Sequence, residues 1–167
     1  MKLLIISDTH GRHDSAVKIA KTIKNLDYVI HLGDMAADAE RISKKLDTKV
    51  ISVNGNCDRD FSRDNYKILE AECGSILLLH GHMESVKSGL SRLLYRTLEL
   101  NCVGAFFGHS HVAEIVEAEG VVLVNPGSMA YPRPGDYPSY AVAETDEKGI
   151  SASIVYMTKP VNKGWFY

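Results

Sequence analysis

The segment Lys2-Leu3-Leu4-Ile5-Ile6-Ser7-Asp8-Thr9-His10 decides how the rest of the chain is read. Its apolar residues do not alternate with polar ones, so neither face of this short strand is left for water. Polar residues follow at once and set a carboxylate and an imidazole at the strand's carboxyl end. The same arrangement repeats downstream. Asp14–Asn25 carries Ala16, Ile19, Ala20 and Ile23 at helical spacing, and Tyr28–Leu32 is a second apolar run that ends at Gly33-Asp34. Met35, Ala39, Ile42 and Leu46 mark a second helix face, and Lys49–Val53 is a third run that ends in Asn54-Gly55-Asn56. The order β-α-β-α-β predicts a parallel sheet with right-handed crossovers.

The second half reads differently. Tyr66–Ala71 and Ser75–His80 are two strands joined near Gly74, and Val86–Leu98 is a helix with Val86, Leu90, Leu93, Leu94 and Leu98 on one face. Val103–Phe107 is a further strand. Val112–Ala118, Val121–Asn125, Tyr140–Thr145 and Ile150–Met157 lack a helical period and read as antiparallel strands. Asn125–Pro138 is a proline-rich structured loop. The expected architecture is a mixed-sheet α/β sandwich, one domain over residues 1–167, with helices outside.

Composition narrows the class. At 167 residues, with 45% hydrophobic and 24% charged residues, the chain is an ordinary globular sequence. A net charge of −2 gives no bulk nucleic-acid footprint. No apolar run reaches the ~20 residues of a membrane span or the about 7–15 of a secretory leader. Cys57, Cys73 and Cys102 are odd in number and widely spaced, so a reducing, cytoplasmic location is expected.

Histidine is the informative residue. Five successive strand ends deliver polar groups: Asp8 and His10, Asp34, Asn56 and Asp58, His80, and His109 and His111. Open α/β sheets bind ligands outside the carboxyl ends of their strands. Imidazole mixed with carboxylate suits Mn, Fe, Zn, Co or Ni better than Ca or Mg. Two Asp, one Asn and four His exceed what one tetrahedral ion needs, but they serve two ions if a carboxylate bridges. Such a pair clamps the attacking and leaving oxygens of a phosphoryl displacement. Gly33, Gly55 and Gly108 each precede a candidate ligand, where the backbone must turn and leave room.

The blocks Asp8-x-His10, Gly33-Asp34, Gly55-Asn56-x-Asp58, His80 and Gly108-His109-x-His111 resemble the calcineurin-like metallophosphoesterase superfamily, in order and over essentially the whole chain. The length and Asn125-Pro126-Gly127-Ser128 resemble its small prokaryotic YfcE-type branch. The resemblance implies a four-layer α/β/β/α sandwich with mixed sheets. It also implies a phosphodiesterase with two divalent transition-metal ions, manganese first and Ni, Fe, Zn or Co as alternatives. Asp8, His10, Asp34 and His111 would hold one ion, Asp34 would bridge, and Asn56, His80 and His109 would complete the other. Hydroxide between the ions would attack a small phosphate-ester substrate in line. Asp34, Asn56, Cys57 and Asp58 are the residues expected at the reaction itself. Many members have His where this chain has Cys57, so weaker help for alkoxide leaving groups is expected.

Each residue also has a plainer reading. Asp34 after Gly33 is a natural helix N-cap, and Asn56 is a natural turn residue. His80 and His82 compete for one place, which the family pattern gives to His80. His31, inside an apolar strand, reads as a core histidine or as a support for Asp34. Asn125, Ser128 and Arg133 are candidate substrate contacts. The terminal Trp165-Phe166-Tyr167 suggests a homo-oligomer, dimer or tetramer, or docking on the parent core. Two other functions compete: a non-catalytic metal-binding scaffold of the same fold, and a small nuclease. Neither membrane nor nucleic acid is an expected partner.

Overall fold

The structure is a computed structural model and describes residues 1–58 and 64–157. Trp165-Phe166-Tyr167, and the subunit contact expected from it, lie outside the described residues.

The opening apolar run is β1 (Lys2–Ile6), flanked by β2 (Tyr28–His31) and then β3 (Lys49–Ser52), all parallel. Helices α1 (His13–Thr22) and α2 (Ala36–Ser43) make the crossovers. The other edge of β1 takes β9 (Ser139–Asp146) antiparallel, followed by β10 (Gly149–Tyr156). A second sheet has the order β4-β5-β6-β8-β7, from β4 (Tyr66–Ala71), β5 (Gly74–Leu79), β6 (Gly104–Phe106), β7 (Ala113–Ala118) and β8 (Val121–Pro126). Helix α3 (Ser91–Glu99) covers its outer face.

The alternation of side chains along each strand builds the layers. Leu3 and Ile5 point between the sheets, against Ile76, Leu78, Phe106 and Val124. Leu4 and Ile6 point the other way, onto Ala16, Val17 and Ala20 of α1 and Ile42 of α2. Leu77, Phe107 and Leu123 likewise turn outward to Leu93 of α3. Both faces of β1 and β5 are therefore covered, and this explains their unbroken apolar runs. The result is the expected four-layer α/β/β/α sandwich.

Two local expectations are corrected. The third helix begins at Ser91, not Val86, because Gly89 takes φ +143°, outside the helical region, and the chain before it forms turns. Val86 still packs in the outer core. The strands of the second half are not antiparallel throughout: β8 pairs antiparallel with β7 but parallel with β6. The β7–β8 hairpin folds back so that its second strand, the more apolar one, takes the buried place beside β6.

This topology brings the ends of β1, β2, β3, β5 and β6 to one edge. The Asp8 amide donates to the Gly33 carbonyl at 3.1 Å, and the Gly108 amide to the His80 carbonyl at 3.0 Å. The imidazole of His80 spans the two sheets to reach the Leu32 carbonyl, Nδ1 to O 2.7 Å.

Candidate metal centre

The backbone at this edge is strained where the donors sit. Asp8, His10, Asp34, His109 and His111 have φ of 54°, 40°, 55°, 65° and 58°. Left-handed conformations cost about 1–2 kcal/mol per non-glycine residue. They persist only where the surroundings determine them, which is characteristic of functional sites. For His109 and His111 the turn resolves a puzzle of spacing. Residues two apart on a straight exit would share one face, and the bend instead aims each ring at a different carboxylate's neighbourhood.

Asp8, Asp34 and His80 are buried, and each offers a donor atom within 4.8 Å of the others. Around them, Asn56 Oδ1 lies 3.2 Å and Asp34 Oδ1 3.4 Å from His80 Nε2. His109 Nδ1 lies 3.2 Å from the same nitrogen. His111 Nε2 lies 3.0 Å from Asp8 Oδ1, and its Nδ1 lies 2.6 Å from the Tyr131 carbonyl. His10 shares the turn with Asp8, and its ring packs against Tyr131 with centroids 4.9 Å apart.

Hydrogen-bond bookkeeping tests whether a cation fits. A carbonyl only accepts, so the proton facing Leu32 must sit on His80 Nδ1. In the neutral ring Nε2 then presents a lone pair to Asp34 Oδ1 and Asn56 Oδ1, which are acceptors themselves. His111 repeats the pattern: the Tyr131 carbonyl takes Nδ1–H, and Nε2 faces the Asp8 carboxylate. Lone pairs converging on lone pairs are the arrangement a cation resolves, and a carbonyl-anchored imidazole is the usual support of a histidine ligand. The residues present fit divalent metal ions.

Charge ties the same groups together. Burial works to raise the Asp8 carboxyl, but the His111 hydrogen bond and the charge of His80 hold it below its ordinary value. The same bond raises His111, so a proton and a cation compete for its Nε2. Burial, and then His80, push His109 down to about 4, which keeps that ring neutral as a ligand must be. At Cys57, desolvation and the Asp34 carboxylate push the thiol up to about 11, although the residue is exposed.

The candidates the sequence offered separate into donors and supports. Asp58 accepts from the Ala36 amide at 2.7 Å and from the Gly55 amide at 2.8 Å, so each oxygen is occupied by backbone. It caps α2 from another loop and leaves Asp34 free of the N-cap role. The Cys57 amide in turn donates to Asp34 Oδ1 at 3.0 Å. A β-carbon at Gly55 would collide with the Asp34 carboxylate, and one at Gly108 with Ser7.

Asn125 and Ser128 are fully buried and bond inward, so they are not substrate contacts. Asn125 Nδ2 donates to the Gly108 carbonyl, and Ser128 Oγ donates to the Asp8 carbonyl. Arg133 Nε donates to the Ser110 carbonyl. His82 stands beside the cluster, its ring 5.5 Å from that of His80. Sequence reasoning missed Ser7, whose hydroxyl bonds Asp8 Oδ2 at 2.5 Å, the carbonyls of Leu32 and Tyr131, and Asp38. A carbonyl leaves no signature in residue type, and Asp38 lies inside a helix where acidic residues are ordinary.

A cleft of about 890 Å³ lies at the opposite edge, lined by Lys2, Asp27, Glu117, Glu144 and Ile150. Among the described residues no cluster of metal donors lies there. Converging donors, not cavity size, locate the site.

Comparison with known proteins accords with this geometry. The family described as "Calcineurin-like phosphoesterase superfamily domain" matches residues 1–148. The chain is 36% identical over 143 residues to the probable metallophosphoesterase YsnB of Bacillus subtilis (strain 168), covering 85% of this chain and 83% of that protein. It is 27% identical over 173 residues to the phosphodiesterase MJ0936 of Methanocaldococcus jannaschii, covering 89% and 95%. The fold superposes on Vps29 from Entamoeba histolytica, solved with zinc, at a TM-score of 0.76, 21% identity and coverage of 93% and 99%.

Proposed function

The chain belongs to the calcineurin-like phosphoesterase superfamily, a family of metal-dependent phosphoesterases, and on that premise we propose that it is a dinuclear phosphodiesterase acting on a small phosphate ester. The observation that carries this is the lone-pair convergence: His80 Nε2 with Asp34 and Asn56 on one side, and His111 Nε2 with Asp8 on the other.

Asp8, His10, Asp34 and His111 would hold one cation, and Asn56, His80 and His109 would hold the other, with Asp34 serving both. Manganese is the first candidate. When bound, the pair supplies Lewis acidity and a water acidified toward pKa ~7, so that a nucleophile exists at neutral pH. The protein's own part is placement. Asp34 is held by the Cys57 amide, and Asp58 fixes the loop that carries Asn56 and Cys57. Burial of Asp8, Asp34 and His80 excludes bulk water and strengthens every charge interaction there. Cys57 is exposed beside Asn56, and the resemblance gives that place to a His that would help an alkoxide leave. A thiol is a weak donor, so esters whose leaving group departs unaided are favoured.

The reading includes one domain, a cytoplasmic location and a homo-oligomer. No described helix is long and apolar enough to cross a membrane. The test is hydrolysis of an activated aryl phosphodiester by the purified chain with Mn²⁺, Ni²⁺, Co²⁺, Fe²⁺ or Zn²⁺. Metal-dependent turnover is expected. Metal binding without turnover under any of them would instead mark a scaffold, and robust DNA cleavage at physiological salt would mark a nuclease.

A further inference from the structure

Asp38 is a fully buried carboxylate in the first turn of α2, and the reaction as proposed makes no use of it. Thr9 Oγ1 donates to its Oδ2 at 2.8 Å, and the Gly11 amide donates to the same oxygen at 2.7 Å. Arg41 Nη1 donates to Oδ1 at 2.9 Å, with His13 Nδ1 3.4 Å from that oxygen. Burial alone would raise this carboxyl, but the bonds from Thr9, Gly11 and Arg41 overcome it and keep it ionised.

An ionised carboxylate can only accept, and this fixes every proton in the contacts beyond it. The single hydroxyl proton of Thr9 points at Asp38, so Thr9 Oγ1 accepts from His31 Nε2 across 2.9 Å. His31 Nδ1 is therefore the acceptor, and the Gly33 amide donates to it at 3.3 Å. One directed chain runs from Gly33 through His31 and Thr9 to Asp38. It ties together two loops from different strands. Thr9 stands between Asp8 and His10, and Gly33 precedes Asp34. Three of these donors sit at left-handed φ, a conformation that needs outside support.

We propose that Asp38 is a positioning residue for the metal centre, setting the relative placement of Asp8, His10 and Asp34 through Thr9, Gly11 and His31. The inference rests on the metal-centre reading above. Removing such support typically costs 10–100-fold in metal affinity.

The test uses the full chain and Mn²⁺ alone, titrated by calorimetry, with melting temperatures of the metal-free proteins alongside. Thr9→Val keeps the side-chain shape but removes the hydroxyl, and Thr9→Ser keeps the hydroxyl. Thr9→Val is expected to weaken Mn²⁺ binding by about 10–100-fold, and Thr9→Ser to restore wild-type affinity. Asp38→Asn, expected to weaken binding as well, serves in its place if Thr9→Val does not fold. Wild-type affinity in Thr9→Val or Asp38→Asn, whatever happens to the melting temperature, would overturn the inference and leave a purely structural network. A wild-type chain that takes up no Mn²⁺ would overturn the functional reading itself, a separate outcome.

Discussion

Cys57 and Asp58 are neighbours in sequence with separate duties. Asp58 bonds two backbone amides and never faces the donors, whereas Cys57 is exposed beside Asn56. If the thiol gives the leaving group little help, the rate should depend steeply on leaving-group pKa. Cys57→His should flatten that dependence across a series of aryl and alkyl phosphodiesters, and an unchanged slope would refute the role. At this scale much was legible beforehand. Asp8, Asp34, Asn56, His80, His109 and His111 are residue types with distinctive chemistry at strand ends, and the fold brings them into contact. Ser128 and Asn125 misled because a polar side chain beside a site can serve the backbone as readily as a substrate. Only burial separates the two.

His31 links the residue to the element. It lies fully buried in β2, and burial pushes it down to about 4 from an ordinary 6.5. The folded protein therefore resists protonation there while the unfolded chain accepts it. Stability is full above pH 6.5 and falls as pH drops from 6.5 to 4, by about 3 kcal/mol in total. Denaturant midpoints of the metal-free protein should show that loss, and His31→Gln should reduce it; parallel curves would contradict the assignment. Among the elements themselves, β1 and β5 were the most legible, since a run covered on both faces needs no decoding. Leu78 of β5 is fully buried between the sheets. Leu78→Ala should cost about 2–5 kcal/mol by chemical denaturation, and a loss under 1 kcal/mol would mean that the inter-sheet core is looser than described. The start of α3 was illegible because Val86 is apolar and in phase with the helix, yet Gly89 breaks the backbone between them. The parallel β6–β8 pairing was hidden for another reason: periodicity reports which face is buried, not which strand is the neighbour.

For the whole molecule, two sheets stacked face to face present their strand ends at one edge. Six donors from five loops thus meet, although the loops are scattered over about a hundred residues of sequence. That convergence follows from topology: β1, β2 and β3 are parallel, β5 and β6 are parallel, and His80 reaches across to the Leu32 carbonyl. The large cleft at the far edge shares none of this chemistry. The account stands on there being two cation places rather than one, since a single ion would leave either the Asp8–His111 side or the His80–Asn56 side unfilled. Metal-to-protein stoichiometry, measured by elemental analysis of the Mn²⁺-saturated chain after removal of free ion, tests this most directly. Two ions per chain, falling to one in Asn56→Ala, is the predicted result; saturation at one ion in the wild type would contradict it.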